Sequence, residues 1–310
     1  MSDSYHKPVM LSEAMDGLAL RPAGTYVDVT FGGGGHSRAI LERLGPEGRL
    51  YAFDQDGDAA RRVESGEWGE ENDARFTFIG ENFRYMKSFL RLHGVRQVDG
   101  VLADLGVSSH QFDTAERGFS TRMDGELDMR MDRQSAVTAR DLVNTLDEAG
   151  LARLLKMYGE LSNARQMAHA IVTARATRSI DTTMELRDAV SRHLPRGMEN
   201  KYLAMLFQAL RIEVNGELEA LKEMLRQSAE MLVAGGRLVV ISYHSLEDRL
   251  VKNYMRSGNF EGEVEKDFYG NPLSPMRQIK KCAAPEAEVM ENNRARSARL
   301  RVGEKVDNVK

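Results

Sequence analysis

The chain has 310 residues, 42% of them apolar and 29% charged, with a formal net charge of −4. That is long for one compact domain and comfortable for two, with enough apolar side chain to fill a core. A single cysteine, Cys282, excludes an internal disulfide framework and a thiolate metal centre; the seven histidines never recur at i,i+4, so no metal is expected. Apolar runs stay strand-length, far below the roughly 18 residues of a membrane span, and no apolar signal core follows Met1–Lys7, which implies a cytoplasmic protein.

Residues 25–31 are rich in β-branched and aromatic side chains and predict a strand that stops at four glycines. A helix is predicted over 37–44, ended by Gly45-Pro46. Further strands are predicted at 49–53, ending at Asp54, at 76–79, and at 100–103 after Val98, ending at Asp104. Strands separated by helix-length segments imply βαβ crossovers and a mainly parallel sheet.

After about residue 110 the pattern changes. Residues 136–211 carry helical periodicities, with Leu151, Leu154, Leu155 and Tyr158 on one face and Ala168, Ile171, Val172 and Arg175 in the same style. Leu218, Leu221, Met224, Leu225 and Leu232 predict a long amphipathic helix closed by Gly235-Gly236. A fifth strand follows at 237–243 and a last one at 298–302; residues 256–292 are the least patterned and are expected to hold loops. The expected architecture is α/β: a Rossmann-like sheet from residues 1–109 and 212–310, interrupted by an all-helical insertion over 110–211.

Asp28-Val-Thr-Phe-Gly-Gly-Gly-Gly35 places a glycine turn between strand and helix, where backbone can approach a ligand. Twenty residues after Gly34, Asp54 ends the second strand, where a carboxylate can accept from two ribose hydroxyls. That pairing fits a nucleoside cofactor. Three features favour S-adenosylmethionine over a nicotinamide: Ser37 stands where a dinucleotide turn wants its third glycine, Asp104-Leu-Gly-Val-Ser-Ser109 follows the fourth strand, and no Tyr-x-x-x-Lys pair occurs. An NAD-dependent oxidoreductase and a non-catalytic RNA-binding assembly factor remain the rival readings. The charge is uneven: Arg277 to Arg301 holds seven Lys/Arg against three Glu, which suits either a phosphate-contacting stretch or a solvated tail.

The segments Thr30-Phe-Gly-Gly-Gly-Gly-His-Ser37, Asp104–Ser109, Glu116-Arg-Gly-Phe-Ser120, Leu127-Asp-Met-Arg-Met-Asp132, Ile241-Ser-Tyr-His-Ser-Leu-Glu-Asp-Arg249, His6-x-Pro-Val and Asn293-x-Arg-Ala-Arg-Ser297 carry a resemblance over essentially the whole chain. It resembles the ribosomal RNA small subunit methyltransferase H family. The resemblance implies N4-methylation of a cytidine in the decoding region of 16S rRNA within the small ribosomal subunit, with S-adenosylmethionine as donor and a helical insertion that recognises substrate. It implies cofactor contacts at Gly34, Gly35, His36, Asp54, Phe83, Asp104 and Gln111. Two departures are mild: Gly125-Glu126-Leu127-Asp128 replaces an expected Gly-Pro-Leu-Asp, and Tyr243 stands where phenylalanine is usual.

Cytosine N4 is a poor nucleophile, and Asp104 is the candidate acceptor that would favour its pyramidal form; the resemblance favours instead a role holding the donor's amino group. Tyr243 could stack on the target base or be an ordinary strand-end aromatic. Ser245 and Asp248 fit a capping box, leaving His244 and Arg249 as candidate phosphate or base contacts. Arg211 is a further candidate RNA contact, and Asn215 reads as a helix N-cap with Glu217 in the first turn. Met123, Met129 and Met131 suit packing or a substrate lid.

Overall fold

In the computed structural model of the protein, residues 8–270 and 273–307 are described; His6 lies outside them. The described residues form two compact units, one reaching to Gly106 and resuming at Leu218, the other running Val107–Glu217.

The first unit opens with α1 (Leu11–Leu18), β1 (Thr25–Asp28), α2 (Gly35–Leu41), β2 (Arg49–Phe53), α3 (Gly57–Glu64), β3 (Phe76–Ile79), α4 (Met86–Leu92) and β4 (Val98–Asp104). β2 and β3 occupy the predicted residues. β1 is shorter than predicted, because beyond Asp28 the chain turns: Thr30 N–H donates to the Asp28 carboxylate at 3.0 Å and Phe31 N–H to the Phe53 carbonyl at 2.9 Å.

The second unit holds α5 (Ser109–Asp113), α6 (Ala139–Thr145), α7 (Glu148–Gly159), α8 (Ala164–Arg175), α9 (Thr183–Val190) and α10 (Glu199–Asn215). Thr138, Asp147 and Thr182 accept backbone N–H groups as N-caps of α6, α7 and α9. Leu151, Leu154, Leu155, Ala168 and Ile171 are buried in one core, as their spacing predicts. Met129 and Met131 join that core, with Met129 at φ 61°. Arg117, 1% exposed, donates to the carbonyls of Arg130 and Met131 and pins the loop that two of the recognisable motifs share.

The first unit resumes with α11 (Glu217–Met231), β5 (Leu232–Ser242), α12 (Ser245–Ser257), β6 (Met276–Ala283), α13 (Glu286–Glu291) and β7 (Arg299–Lys305). Gly235 and Gly236 do not cap a helix. Leu232 already pairs with Val98 of β4, and the glycines lie inside β5 at a register shift, Gly235 at φ 75°. Nor is 256–292 only loop: it contains β6, hidden from periodicity because this edge strand is exposed along nearly its whole length.

The sheet order is β3-β2-β1-β4-β5-β7-β6, with β1 to β5 parallel and β7 antiparallel to both neighbours. Successive residues serve opposite cores: Tyr26, Leu50, Leu102 and Val239 face one cluster, Val27, Phe53, Val101 and Val240 the other. Strands covered on both faces read as apolar runs rather than alternations. The order reverses between β1 and β4, so their carboxyl ends open the crevice where α/β sheets take ligands.

Candidate active site

The carboxyl ends of β1, β2, β4 and β5 converge through polar contacts. Asp28, fully buried at the end of β1, accepts from Thr30 N–H at 3.0 Å and from the Ser37 hydroxyl at 2.8 Å. Thr30 Oγ1 in turn accepts the Asp104 N–H at 2.6 Å, tying the glycine loop to the end of β4. Asp28 had no assigned role from sequence, because the predicted strand ran past it to Phe31 and hid its place at a strand end.

Asp54 grips the same loop from β2. Its Oδ2 accepts the Gly32 N–H at 2.7 Å and its Oδ1 the Asp56 N–H at 2.9 Å. A carboxylate offers about four acceptor positions, so each oxygen retains one for a hydroxyl. Beside it Gln55 Oε1 accepts from Asn82 Nδ2 at 2.6 Å, and the Asn82 side chain caps the short turn that carries Phe83. Phe83 is half-buried against the core that contains Phe53 and Met86.

The glycines earn their places by packing. A Cβ on Gly34, which has φ 75°, would lie 2.1 Å from Trp68 Nε1; one on Gly35 would lie 2.2 Å from Pro8 Cγ. Trp68 sits edge-on to Phe31, ring centroids 5.1 Å apart, and 4.4 Å from Phe76, forming an aromatic bed under the loop. The Cβ side of both glycines is therefore filled by protein, and their backbone is what remains for a ligand. Nothing in the spacing pointed to Trp68.

Asp104, 22% exposed, ends β4. Its Oδ1 accepts the Tyr243 hydroxyl at 2.7 Å, and its Oδ2 lies 3.8 Å from His36 Nδ1. The buried His36 ring places Nε2 3.1 Å from the Val9 carbonyl; a carbonyl only accepts, so Nε2 carries the proton. Burial holds the His36 pKa below its usual value, against the opposing pull of Asp104. The Tyr243 ring also faces Gly106, where a Cβ would meet Cδ2 at 3.5 Å. Burial, reinforced by the Asp104 charge, raises the Tyr243 hydroxyl well above 10.

Asp28, Asp54 and Asp104 are each pushed up to about 6, chiefly by burial. The charged side chains acting on Asp54 are Asp56 and Asp28; those acting on Asp104 are His36, Asp28 and Glu247. Among the described residues no lysine or arginine is a main influence on these carboxylates. Such a site suits a cationic ligand and repels a diphosphate.

The remaining candidates have local partners of their own. Gln111 belongs to the second unit, where it is buried and closes a capping box with Ser108. Arg211, also in the second unit, forms a two-bond pair with Glu217 at 2.8 and 3.0 Å. Asn215 is the last residue of α10, not an N-cap; it accepts the Met131 N–H and donates to the Met129 carbonyl. The cap of α12 is His244 with Glu247, not Ser245 with Asp248: Glu247 Oε2 accepts Tyr243 N–H at 2.9 Å, and Asp248 binds Arg301. Arg249 is exposed just past the first turn of α12.

Residues 3–306 match the family model described as the MraW methylase family. The chain belongs to this family. Among curated relatives, ribosomal RNA small subunit methyltransferase H of Bacteroides thetaiotaomicron is 56% identical over 304 residues, covering 97% of this chain and 98% of the relative. The proteins of that name in Flavobacterium johnsoniae and Flavobacterium psychrophilum are 55% and 56% identical, covering 97% and 96% of this chain and 98% and 100% of theirs. As an MraW methylase the chain is a methyltransferase, and its methyl donor is S-adenosylmethionine. Among the described residues no helix is long and apolar enough to cross a membrane.

Proposed function

We propose that this MraW methylase transfers a methyl group from S-adenosylmethionine to the exocyclic N4 of a cytidine in the decoding region of 16S rRNA. The observation that carries the reading is the unbalanced acidic edge. Three largely buried carboxylates, with no compensating lysine or arginine among the described residues, suit a donor bearing an ammonium, a sulfonium and a ribose diol. A nicotinamide dinucleotide would bring its diphosphate into that field. The names of the close relatives support ribosomal RNA as acceptor.

The donor supplies an activated methyl group on a good leaving group. Asp54 holds the ribose hydroxyls through the acceptor positions left by Gly32 and Asp56, with the backbone of Gly34 and Gly35 beside it and Phe83 against the adenine. Asp104, oriented by Tyr243 and backed by neutral His36, receives the ammonium. Alignment of nitrogen, methyl and sulfur contributes up to roughly 7–11 kcal/mol of the barrier. The target base leaves its stack at a cost of a few kcal/mol, and the Tyr243 ring, fixed through its hydroxyl, offers a face worth about 1–3 kcal/mol against it. The raised proton affinity of Asp104 favours a second role as acceptor for an N4 proton. The helical unit, residues 107–217, is the substrate-recognition module of this reading, and the reading's candidate RNA contacts are Arg211, His244 and Arg249 in addition to Tyr243.

The test is transfer from labelled S-adenosylmethionine to small subunits isolated from a strain deleted for this protein. Nuclease digestion and mass mapping should place N4-methylcytidine in the decoding region. Label on another nucleoside, or none on RNA, overturns the reading; an unmodified deletion strain phenotype, with methylation intact, would leave only a scaffold. S-adenosylhomocysteine should raise the melting temperature where NADH does not.

A further inference from the structure

The antiparallel edge of the sheet builds a charged face beside the same site. In an antiparallel pair, opposed side chains share a face. Lys281 opposes Arg301, and Ala283 opposes Arg299, so Lys281, Arg299 and Arg301 project from one side of β6 and β7. The N-terminal turn of α12 packs on that side, where Asp248 takes Arg301 in a two-bond pair at 2.7 and 2.8 Å. Arg301 is 2% exposed and also donates to Gln278 Oε1 at 2.7 Å. Burial pushes Asp248 up, but the bonds from Arg301 and the charges of Arg301, Arg299 and Lys281 together bring it below the usual carboxylate range. One carboxylate thus faces three cations and is consumed by the buried one. Lys281 and Arg299 remain exposed, without an ion-pair partner among the described residues.

Position decides what such a pair serves. Arg299 opposes Ser242, the last residue of β5, and its carbonyl lies 3.4 Å from the Ser242 hydroxyl. The next residue is Tyr243, bonded to Asp104. Arg299 therefore stands at the carboxyl edge, one residue across the ladder from the candidate site.

The geometry points to Lys281 and Arg299 as a phosphate-binding platform that holds the RNA backbone next to the nucleotide presented at Tyr243, with the buried Arg301–Asp248 pair keeping the platform's charge free. Uncompensated cations on an exposed ladder match a polyanion that releases counterions on binding. Arg301 is a positioning residue: it absorbs Asp248, which would otherwise neutralise its neighbours. This inference rests on RNA being the acceptor.

The test uses the full-length protein, a labelled single-stranded RNA oligonucleotide of decoding-region sequence, and small subunits lacking the modification. Wild type is compared with the double variant Lys281→Gln/Arg299→Gln, and Arg299→Gln alone serves as the milder form. Loss of two single-strand phosphate contacts lowers the slope of log K against log salt by about 1.4, so the wild-type advantage shrinks roughly sevenfold between 50 and 200 mM salt. KM for subunits should rise while the affinity for S-adenosylhomocysteine stays at the wild-type value. An unchanged salt slope overturns the platform, whether or not KM moves, because a merely structural defect would not carry salt dependence. A changed donor affinity overturns it as well, since it would place these residues in the donor site. If wild type itself transfers no methyl to RNA, the underlying reading fails first and the platform with it.

Discussion

Tyr243→Phe removes one atom and one contact: the 2.7 Å bond from the hydroxyl to Asp104 Oδ1. Ring packing against Gly106 is kept. A hydrogen bond to a charged acceptor contributes about 1.5–3 kcal/mol net, and it acts here only on the ionised carboxylate. Burial has already raised Asp104 to about 6, with the Tyr243 bond and the His36 charge opposing that rise. Losing the bond moves the acid limb of any Asp104-dependent process to higher pH by about one to two pH units. Wild type is then largely ionised at pH 7, the variant only half or less. The affinity for S-adenosylhomocysteine, measured calorimetrically from pH 5.5 to 8.5, should fall roughly two- to tenfold at pH 7. The difference should close to within about twofold by pH 8.5. Superimposable pH profiles would refute the reasoning, by showing that ionisation of Asp104 does not govern donor binding. A pH-independent loss would refute it equally, by assigning Tyr243 a purely steric part.

Asp28 is raised by burial to about 6 from an unfolded value of 3.8, so its contribution to stability is full below the lower value and is lost as pH rises through the upper one. Asp28→Asn should remove this dependence: denaturant unfolding at pH 4 and pH 7 should show wild type gaining up to about 3 kcal/mol on the variant in acid, and a constant difference would sink the claim. Asp54→Ala strands the Gly32 and Asp56 N–H groups, each costing about 1–3 kcal/mol if it stays buried. Calorimetric melting should therefore fall together with donor affinity, and an unaltered affinity would remove Asp54 from the donor site. Gly34→Ala must place a Cβ against Trp68 at a φ of 75°; the left-handed backbone alone costs roughly 1–2 kcal/mol. Trp68 is the chain's one tryptophan, so its emission should shift to the red with a lowered melting temperature, and wild-type values in both would mean that the loop has slack.

How much of this was legible depended on whether a signal was local. β2 and β3 could be bounded to the residue because each is a compact apolar segment, closed at Asp54 in one case and Gly80 in the other. The edge strand β6 was invisible, since it is exposed along nearly its whole length and its residues Arg277, Lys280 and Lys281 read as loop. Gly235-Gly236 imitates a helix stop because the signal for a bulge and for a C-cap is the same residue. His244 was missed as a cap for a different reason: serine is the commoner capping residue, and Ser245 stands one position away. Within the site, Asp54 and Asp104 stood out as acids closing strands, whereas Asp28, Trp68 and Gln55 act through partners 9, 34 and 27 residues distant, which no window reveals.

The polar edge also explains why its members act together. Asp54 holds Gly32, Asp28 holds Thr30, Thr30 receives Asp104, and Asp104 receives Tyr243, so one run of hydrogen bonds crosses from β2 to β5. Each carboxylate is costly to bury, and neighbouring acids make Asp54 and Asp104 costlier. A fold selected for stability alone would place a lysine or arginine there, as it does at Asp248 with Arg301. Leaving the edge unbalanced is a stability cost that a cationic ligand removes on arrival, so the same charges that weaken the empty site supply the preference for a positively charged donor. The aromatic bed beneath Gly34 keeps that arrangement from relaxing, because the loop cannot settle toward Trp68 without a clash. Rigidity below and unsatisfied charge above are thus complementary: the first prevents the acids from spreading apart, and the second makes occupancy by the donor the way their repulsion is relieved.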